Sequence, residues 1–425
     1  MTLPPIRIER IGADGDGVGR LPDGVPVYVP FAVPGDVVAP GPDRAHGNGR
    51  LAAAESWIER GPDRADPICP VFGACGGCAL QHLSDDAYRA WKTDLLRGAL
   101  ARAGFPDAPV ESLKAGSYGA RRRMDLGVRR TKSGVVVGLH RMRAAEIVDL
   151  PGCPVLRPEL EALIAPLRDL FASLRAPWRE ASAIANLLDT GPDLAIRADA
   201  DPAPEDRAAL AAFAGAHGIP RISWARGTAR PEPAAQLRPP VVAFSGVAVA
   251  PPPAAFLQAT AEGEAAIRDA VLDALPARLP TKARIAELYA GCGTLTFALA
   301  GRARVSAWEG DAAAVEALSR AANAAGLAGR VTAARRDLAR QPLQPKELAG
   351  FAAVVLDPPH GGAAAQMPPL AASGVKLVVY VGCDPAGLAR DVRVLAQAAF
   401  RPLRAVPIDQ FHRSPRLESV VVLAR

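Results

Sequence analysis

The chain has 425 residues and a net charge of +6, with 49% hydrophobic and 22% charged residues. That length predicts two or three domains, and the composition is that of a globular chain, which excludes a disordered or fibrous one. The basic excess suits a polyanionic partner without requiring one, and no apolar run reaches the ~18 residues that a membrane-spanning helix needs.

The opening segment MTLPPIRIERIGADGDG places acids and glycines where a secretory leader needs an apolar stretch, so a cytoplasmic location is expected. Residues 1–60 read as short strands broken by glycine turns. The alternation in VPVYVPF and the Asp-Gly turns predict a small antiparallel barrel. Three of the six cysteines follow within ten residues, in CPVFGACGGCALQH. Clustered cysteines in a reducing compartment point to a metal or to chemistry rather than to disulfides. A helix is predicted from Ser84 to Ala103, opened by Ser84-Asp85-Asp86. Strands then alternate with basic clusters that include Lys132, and Arg121, Arg122, Arg123, Arg129, Arg130, Arg141 and Arg143 are expected to face phosphate together with the barrel. Residues 155–250 carry a helix near Glu159–Ser173 and no legible motif. From about residue 255 strand and helix alternate, with strands predicted at RIAELYA, RVSAWEG, RVTAARRD, FAAVVLD, KLVVYVG and LESVVVLAR. That pattern predicts a doubly wound α/β domain whose ligands sit at the C-terminal ends of its strands.

Four constellations carry chemistry. In ELYAGCGTLTFALA a strand runs through Gly291 and Gly293 into a helix, and Glu309 ends the next strand, where a carboxylate can accept the hydroxyls of a ribose. The third glycine of the dinucleotide fingerprint is missing, which favours S-adenosylmethionine over NAD. In LDPPHGG, Asp357 ends an apolar strand and two prolines fix the loop; the similar loop of amino-group methyltransferases has an aromatic residue where His360 stands. In VVYVGCDPAGLARD, Cys383 lies between a strand and a helix, where a helix N-terminus is expected to lower a thiol's pKa. A thiolate is what methylation of a pyrimidine C5 needs, since its addition to C6 makes C5 nucleophilic, and a base such as Glu418 must then remove the C5 proton. Finally Cys69, Cys75 and Cys78, with Cys153 far downstream, can hold zinc or a [4Fe–4S] cluster, and spacing alone leaves both open.

Together these segments resemble the bacterial RNA (uracil-5)-methyltransferases, and within them the iron–sulfur branch that modifies 23S ribosomal RNA. The resemblance covers nearly the whole chain. It implies a multidomain α/β protein: an OB-like, RNA-binding TRAM barrel over 1–60, a central α+β iron–sulfur domain over 61–254, and a Rossmann-like class I methyltransferase domain over 255–425. A helix near 84–117 would pack on the last of these. By the same resemblance Cys69, Cys75, Cys78 and Cys153 hold [4Fe–4S]. S-adenosylmethionine meets Gln258, Tyr289, Thr294, Glu309, Asp337 and Asp357 beside Gly291 and Gly293. Cys383 is the nucleophile and Glu418 the general base of a monomeric enzyme. The sequence departs from the family pattern at His360 (usually DPPR), at Gly382-Cys383-Asp384-Pro385 (often SCNP), at Thr260 in the FxQxN-like segment, and at Arg413 and Arg416, near positions where histidines often precede the base. A transfer RNA uridine-C5 methyltransferase, an RNA cytosine-C5 methyltransferase and a non-catalytic RNA-binding assembly factor are the competing readings.

Overall fold

The computed structural model describes residues 3–114 and 116–425. Met1, Thr2 and Ala115, which fall inside the expected barrel and helix, lie outside the described residues. No helix among those described is long and apolar enough to cross a membrane.

Six strands form the first sheet: β1 (Ile6–Arg7), β2 (Arg10–Ile11), β3 (Gly17–Arg20), β4 (Pro26–Val29), β5 (Val37–His46) and β6 (Gly49–Glu59), in the order β1-β5-β6-β4-β3-β2. All pairs are antiparallel except β4 with β6, so the barrel is mixed rather than wholly antiparallel. Its small core comprises Ile6, Ile8, Val27, Val29 and Val38. The sheet curls until β3 meets β1. A Cβ at Gly19 would lie 2.3 Å from the carbonyl oxygen of Arg7, so only glycine permits that approach.

The cysteine loop leads into α1 (Asp85–Arg102), which stops well short of residue 117. Ser84 occupies its N-cap position without making a side-chain cap, and Asp85 and Asp86 supply the first-turn negative charge. Leu96, Ala99 and Leu100 of α1 share a core with residues of the C-terminal sheet and its helices. The central sheet contains β7 (Arg123–Thr131), β8 (Gly134–His140), β9 (Ile147–Asp149), β10 (Glu180–Leu188), β11 (Gly191–Ala198), β12 (Arg221–Arg226) and β13 (Glu232–Gln236), ordered β13-β12-β11-β10-β7-β8-β9. Between its strands run α2 (Pro158–Glu161), α3 (Ile164–Ser173) and α4 (Asp206–Ala216), the first two replacing the single helix expected there. A hairpin, β14 (Val242–Phe244) with β15 (Val247–Val249), follows.

The C-terminal unit alternates α5 (Ala261–Asp273), β16 (Arg284–Leu288), α6 (Thr296–Ala300), β17 (Arg304–Glu309), α7 (Ala312–Ala324), β18 (Val331–Arg335), β19 (Ala353–Leu356), α8 (Met367–Ala372), β20 (Leu377–Gly382), α9 (Pro385–Gln397), β21 (Arg401–Ile408) and β22 (Glu418–Ala424). Its strand order is β18-β17-β16-β19-β20-β22-β21. The first five strands are parallel, and β16, β19 and β20 among them are buried on both faces by separate cores. Strand order reverses between β16 and β19, and the crevice outside their C-terminal ends is where such sheets take ligands. The edge strand β21 has no counterpart among the predicted strands. The last strand, β22, runs antiparallel to β20, with Gly382 opposite Ser419.

Candidate active site

That antiparallel turn builds the site. The first residue of β22 lies at the same end of the sheet as the last residue of β20, so Glu418 and Cys383 meet although they stand 35 positions apart in sequence. The Ser419 hydroxyl donates to the carbonyl oxygen of Gly382 at 3.1 Å and fixes the register. Asp357 follows β19 directly. Its carboxylate accepts from Gln258 Nε2 at 2.9 Å, Gln410 Nε2 donates to Gln258 Oε1 at 2.7 Å, and the same nitrogen donates to Glu418 Oε2 at 2.5 Å. Gln410 Oε1 accepts from the Ala259 N–H at 2.8 Å. A relay of two buried amides therefore links the two acids. Gln410 was not among the sequence candidates. It follows β21, the strand that sequence patterning did not reveal, so no strand end drew attention to it.

The nucleoside-type turn lies one strand over. Gly293 has φ 102°, and a Cβ there would meet the Phe297 ring at 2.6 Å, whereas the space over Gly291, at φ 55°, is open. Tyr289 holds φ 64°, a left-handed conformation that costs a side-chain-bearing residue on the order of 1–3 kcal/mol and that clusters at ligand sites. Glu309 Oε2 accepts from Gly291 N–H at 2.9 Å and Oε1 from Asp311 N–H at 2.8 Å. Each oxygen keeps a further lone pair for a hydroxyl. Thr294 is half-buried in the turn. Asp337 is exposed beyond β18, where its carboxylate accepts the N–H groups of Ala339 and Arg340 at 3.1 and 3.2 Å.

The electrostatics are those of buried acids. Burial, with Asp357 and Glu309 nearby, pushes Glu287 up to about 8, and burial pushes Asp357 up to about 7. Burial, reinforced by Asp357, holds Glu418 well above the carboxylate range. Among the described residues Glu418 Oε1, Glu287 Oε2 and Thr296 Oγ1 are buried without a hydrogen-bond partner. A cation placed among these acids would restore their charge, which suits a sulfonium. The expectation for Cys383 is overturned. Burial, then Glu418 and Asp357, push its thiol up to about 12 rather than down. The helix N-terminus is not free to help, because the Asp384 side chain accepts from Ala386 N–H at 3.0 Å and Gly387 N–H at 2.9 Å. A histidine does stand in the segment before Glu418: His412 Nδ1 lies 3.1 Å from Asp409 Oδ2.

Cys69, Cys75, Cys78 and Cys153 are free thiols lining one cavity of about 390 Å³, to which Arg121, Gln410 and Arg416 also contribute. Burial, and secondarily the other three thiols, push Cys153 up to about 12. Among the described residues no three His, Cys, Asp or Glu side chains converge closely enough to hold a single metal ion. Of the arginines expected to face phosphate, Arg122 and Arg123 turn to other parts of the chain, whereas Arg130, Arg141 and Arg143 are exposed. Arg122 is buried, pairing with Glu264 and donating from Nε to the carbonyl oxygen of Gln258 at 3.0 Å. Arg123 donates to Leu257 O at 2.7 Å, and Arg130 to Leu174 O at 3.1 Å. Arg129, Arg141 and Arg143 pair with Glu180, Glu146 and Asp16. Successive side chains of β7 alternate between faces, which a count of arginines cannot show.

Comparison with known proteins bears on this geometry. No protein-family model matches the chain. It is 40% identical over 420 residues to an uncharacterized RNA methyltransferase of Brucella suis biovar 1, covering 99% of this chain and 97% of that one. It is 35% identical over 435 residues to a 23S rRNA (uracil(1939)-C(5))-methyltransferase of Chromohalobacter salexigens, covering 100% of this chain and 90% of that one. A solved structure, the tRNA (uracil-54, C5)-methyltransferase of Pyrococcus abyssi in complex with S-adenosyl-L-homocysteine, superposes with a TM-score of 0.74 at 21% identity over 99% of this chain and 100% of that one, and so shares its fold.

Proposed function

The chain belongs to the RNA (uracil-5)-methyltransferase family, and we propose that it methylates C5 of a uridine in 23S ribosomal RNA, acting as a cytoplasmic monomer with S-adenosylmethionine as donor. The observation that carries this is the meeting of Cys383 and Glu418 across the β20–β22 pair, beside Asp357. A thiol and a buried base at one point are what C5 methylation of a pyrimidine requires and what methylation of an amino group does not.

S-adenosylmethionine, when bound, supplies an electrophilic methyl group. Gly291 and Glu309 would hold its nucleoside end, with Tyr289, Thr294 and Asp337 around it and Gln258 and Asp357 toward the reacting end. The residues do the rest. The target uridine leaves its stack to reach the recess, and Cys383 Sγ adds to C6, sending the ring's π electrons toward C5. After C5 takes the methyl group, Glu418 removes the C5 proton, and elimination breaks the C6–S bond. The partnerless Glu418 Oε1 is the oxygen suited to that proton. A raised pKa also makes a carboxylate a better base for a carbon acid.

Cys69, Cys75, Cys78 and Cys153 are assigned to a [4Fe–4S] cluster. Thiols spread around a cavity suit a core of several atoms better than one zinc ion, whose thiolates would all lie about 2.3 Å from it. Arg121, facing Cys153 and Cys78, favours their ionised forms.

The test uses RNA transcripts carrying 5-fluorouridine, whose fluorine cannot leave as a proton. Wild-type protein should be trapped as a covalent adduct, Cys383→Ala should form neither adduct nor 5-methyluridine, and Glu418→Gln should accumulate adduct on ordinary uridine. Adduct on Cys383→Ala, or normal turnover by Glu418→Gln, would show the roles to be wrongly assigned.

A further inference from the structure

We infer that His360 is the base that takes the proton from the Cys383 thiol as sulfur adds to the pyrimidine ring. The inference rests on Cys383 being the nucleophile and asks what makes it one. A thiol pushed up by burial and by two acids is almost wholly protonated near neutrality, and it needs a proton acceptor in contact with sulfur. Four charged or titratable groups face it. Glu418 on β22 and Asp357 after β19 oppose the thiolate, Arg416 in the segment before β22 favours it, and His360 touches it. His360 Nδ1 lies 3.9 Å from Cys383 Sγ, the one side-chain hydrogen bond the thiol makes among the described residues.

The loop carrying His360 is held at both ends. Pro358 and Pro359 fix the chain leaving β19, and Gly362 N–H closes a turn onto Pro359 O at 2.7 Å. Arg390 of α9 donates to Gly361 O at 2.8 Å, and Asp391 accepts from Ala363 N–H at 2.6 Å. The helix that follows Cys383 therefore also fixes the loop that presents the imidazole to it. His360 itself is exposed, which lets it exchange protons with solvent between turnovers.

The step balances. The S–H proton moves to His360 Nδ1 as the S–C6 bond forms and the C5–C6 π pair shifts onto C5 and its carbonyl. After methyl transfer Glu418 takes the C5 proton, the C6–S bond breaks, and the departing thiolate recovers a proton from the imidazolium. Each base thus handles one proton, His360 that of sulfur and Glu418 that of carbon.

The experiment follows the rate of adduct formation with 5-fluorouridine RNA against pH, in full-length wild-type, His360→Gln and His360→Ala proteins, with RNA affinity measured in parallel. Wild type should level off as pH rises. His360→Gln should form adduct about 100-fold more slowly at neutral pH, rise with pH without levelling, and bind RNA as before. Added imidazole should restore part of the rate to His360→Ala. Equal rates and profiles in wild type and His360→Gln, or a loss only in step with RNA affinity, would overturn the role of His360. A wild-type protein that forms no adduct would instead reject Cys383 as nucleophile, and the role of His360 with it.

Discussion

Gln410 carries no charge, yet its buried amide satisfies three groups at once: Gln258 Oε1, Glu418 Oε2 and the Ala259 N–H. Its bond to Glu418 favours the carboxylate against the burial that opposes it. Gln410→Leu removes that bond, so the pKa of Glu418 rises further and the fraction present as base falls at any given pH. The pH profile of kcat should move to the alkaline side while Cys383 still forms adduct with 5-fluorouridine RNA. Leaving buried groups unpaired should also destabilise the protein by about 1–3 kcal/mol per group. A kcat profile superimposable on wild type would remove Gln410 from the positioning of the base. At this scale the sequence marks Cys383 by its Cys-Asp-Pro context at a strand end, and Glu418, an ordinary acid by itself, only because thiolate chemistry calls for a base and the family resemblance places it there. It cannot mark Gln410, since an amide is informative only through its partners. It also misleads on the Cys383 thiol, because burial and the neighbouring Glu418 and Asp357, which spacing does not show, push it up, while Asp384 takes the helix N-terminus.

The inner parallel strands β16, β19 and β20 are legible as largely apolar runs because both their faces are buried. Strand β21 is not, since RPLRAVPI breaks its pattern with two prolines and two arginines, which an edge strand tolerates and a central one does not. The arginines that open β7 carry the opposite lesson. Arg122 and Arg123 reach the carbonyl oxygens of Gln258 and Leu257, so they brace the segment that presents Gln258 rather than phosphate. Arg122→Ala leaves Glu264 without its cationic partner in a mostly buried setting. A loss of about 3 kcal/mol is expected, with a lower Tm and weaker S-adenosylmethionine binding. The slope of log RNA affinity against log salt should stay where it is, since a lost phosphate contact would flatten it by about one. A flattened slope at unchanged Tm would restore these arginines to the RNA surface.

Across the whole molecule the cysteine loop and the segment before Glu418 are fastened together. Ala79 and Leu80 N–H groups donate to Arg413 O at 2.9 and 3.0 Å, and the Arg413 guanidinium donates to Leu83 O at 2.8 Å. From α1, buried Lys92 reaches Asp409 Oδ1 at 3.0 Å, and Tyr88 donates to Asp409 Oδ2 at 2.8 Å. Gln410, Phe411, His412, Ser414 and Arg416 line the cysteine cavity itself. Whatever fills that cavity therefore presses on the stretch that leads to Glu418, and this link between distant parts of the chain is invisible to motif spacing. Protein purified without oxygen should be brown, with iron and acid-labile sulfide in the proportions of a [4Fe–4S] cluster. Cys75→Ser or Cys153→Ser should lose both. Because a resident core that binds only the folded form stabilises it, removing it with a chelator should lower Tm. Hydrogen exchange should then quicken in residues 69–83 and in 409–416, while the amides of β16, β19 and β20 stay protected. One zinc per chain with no iron or sulfide would refute the cluster. Faster exchange confined to the cysteine loop would show that the cavity and the segment before Glu418 are fastened together less tightly than these contacts require.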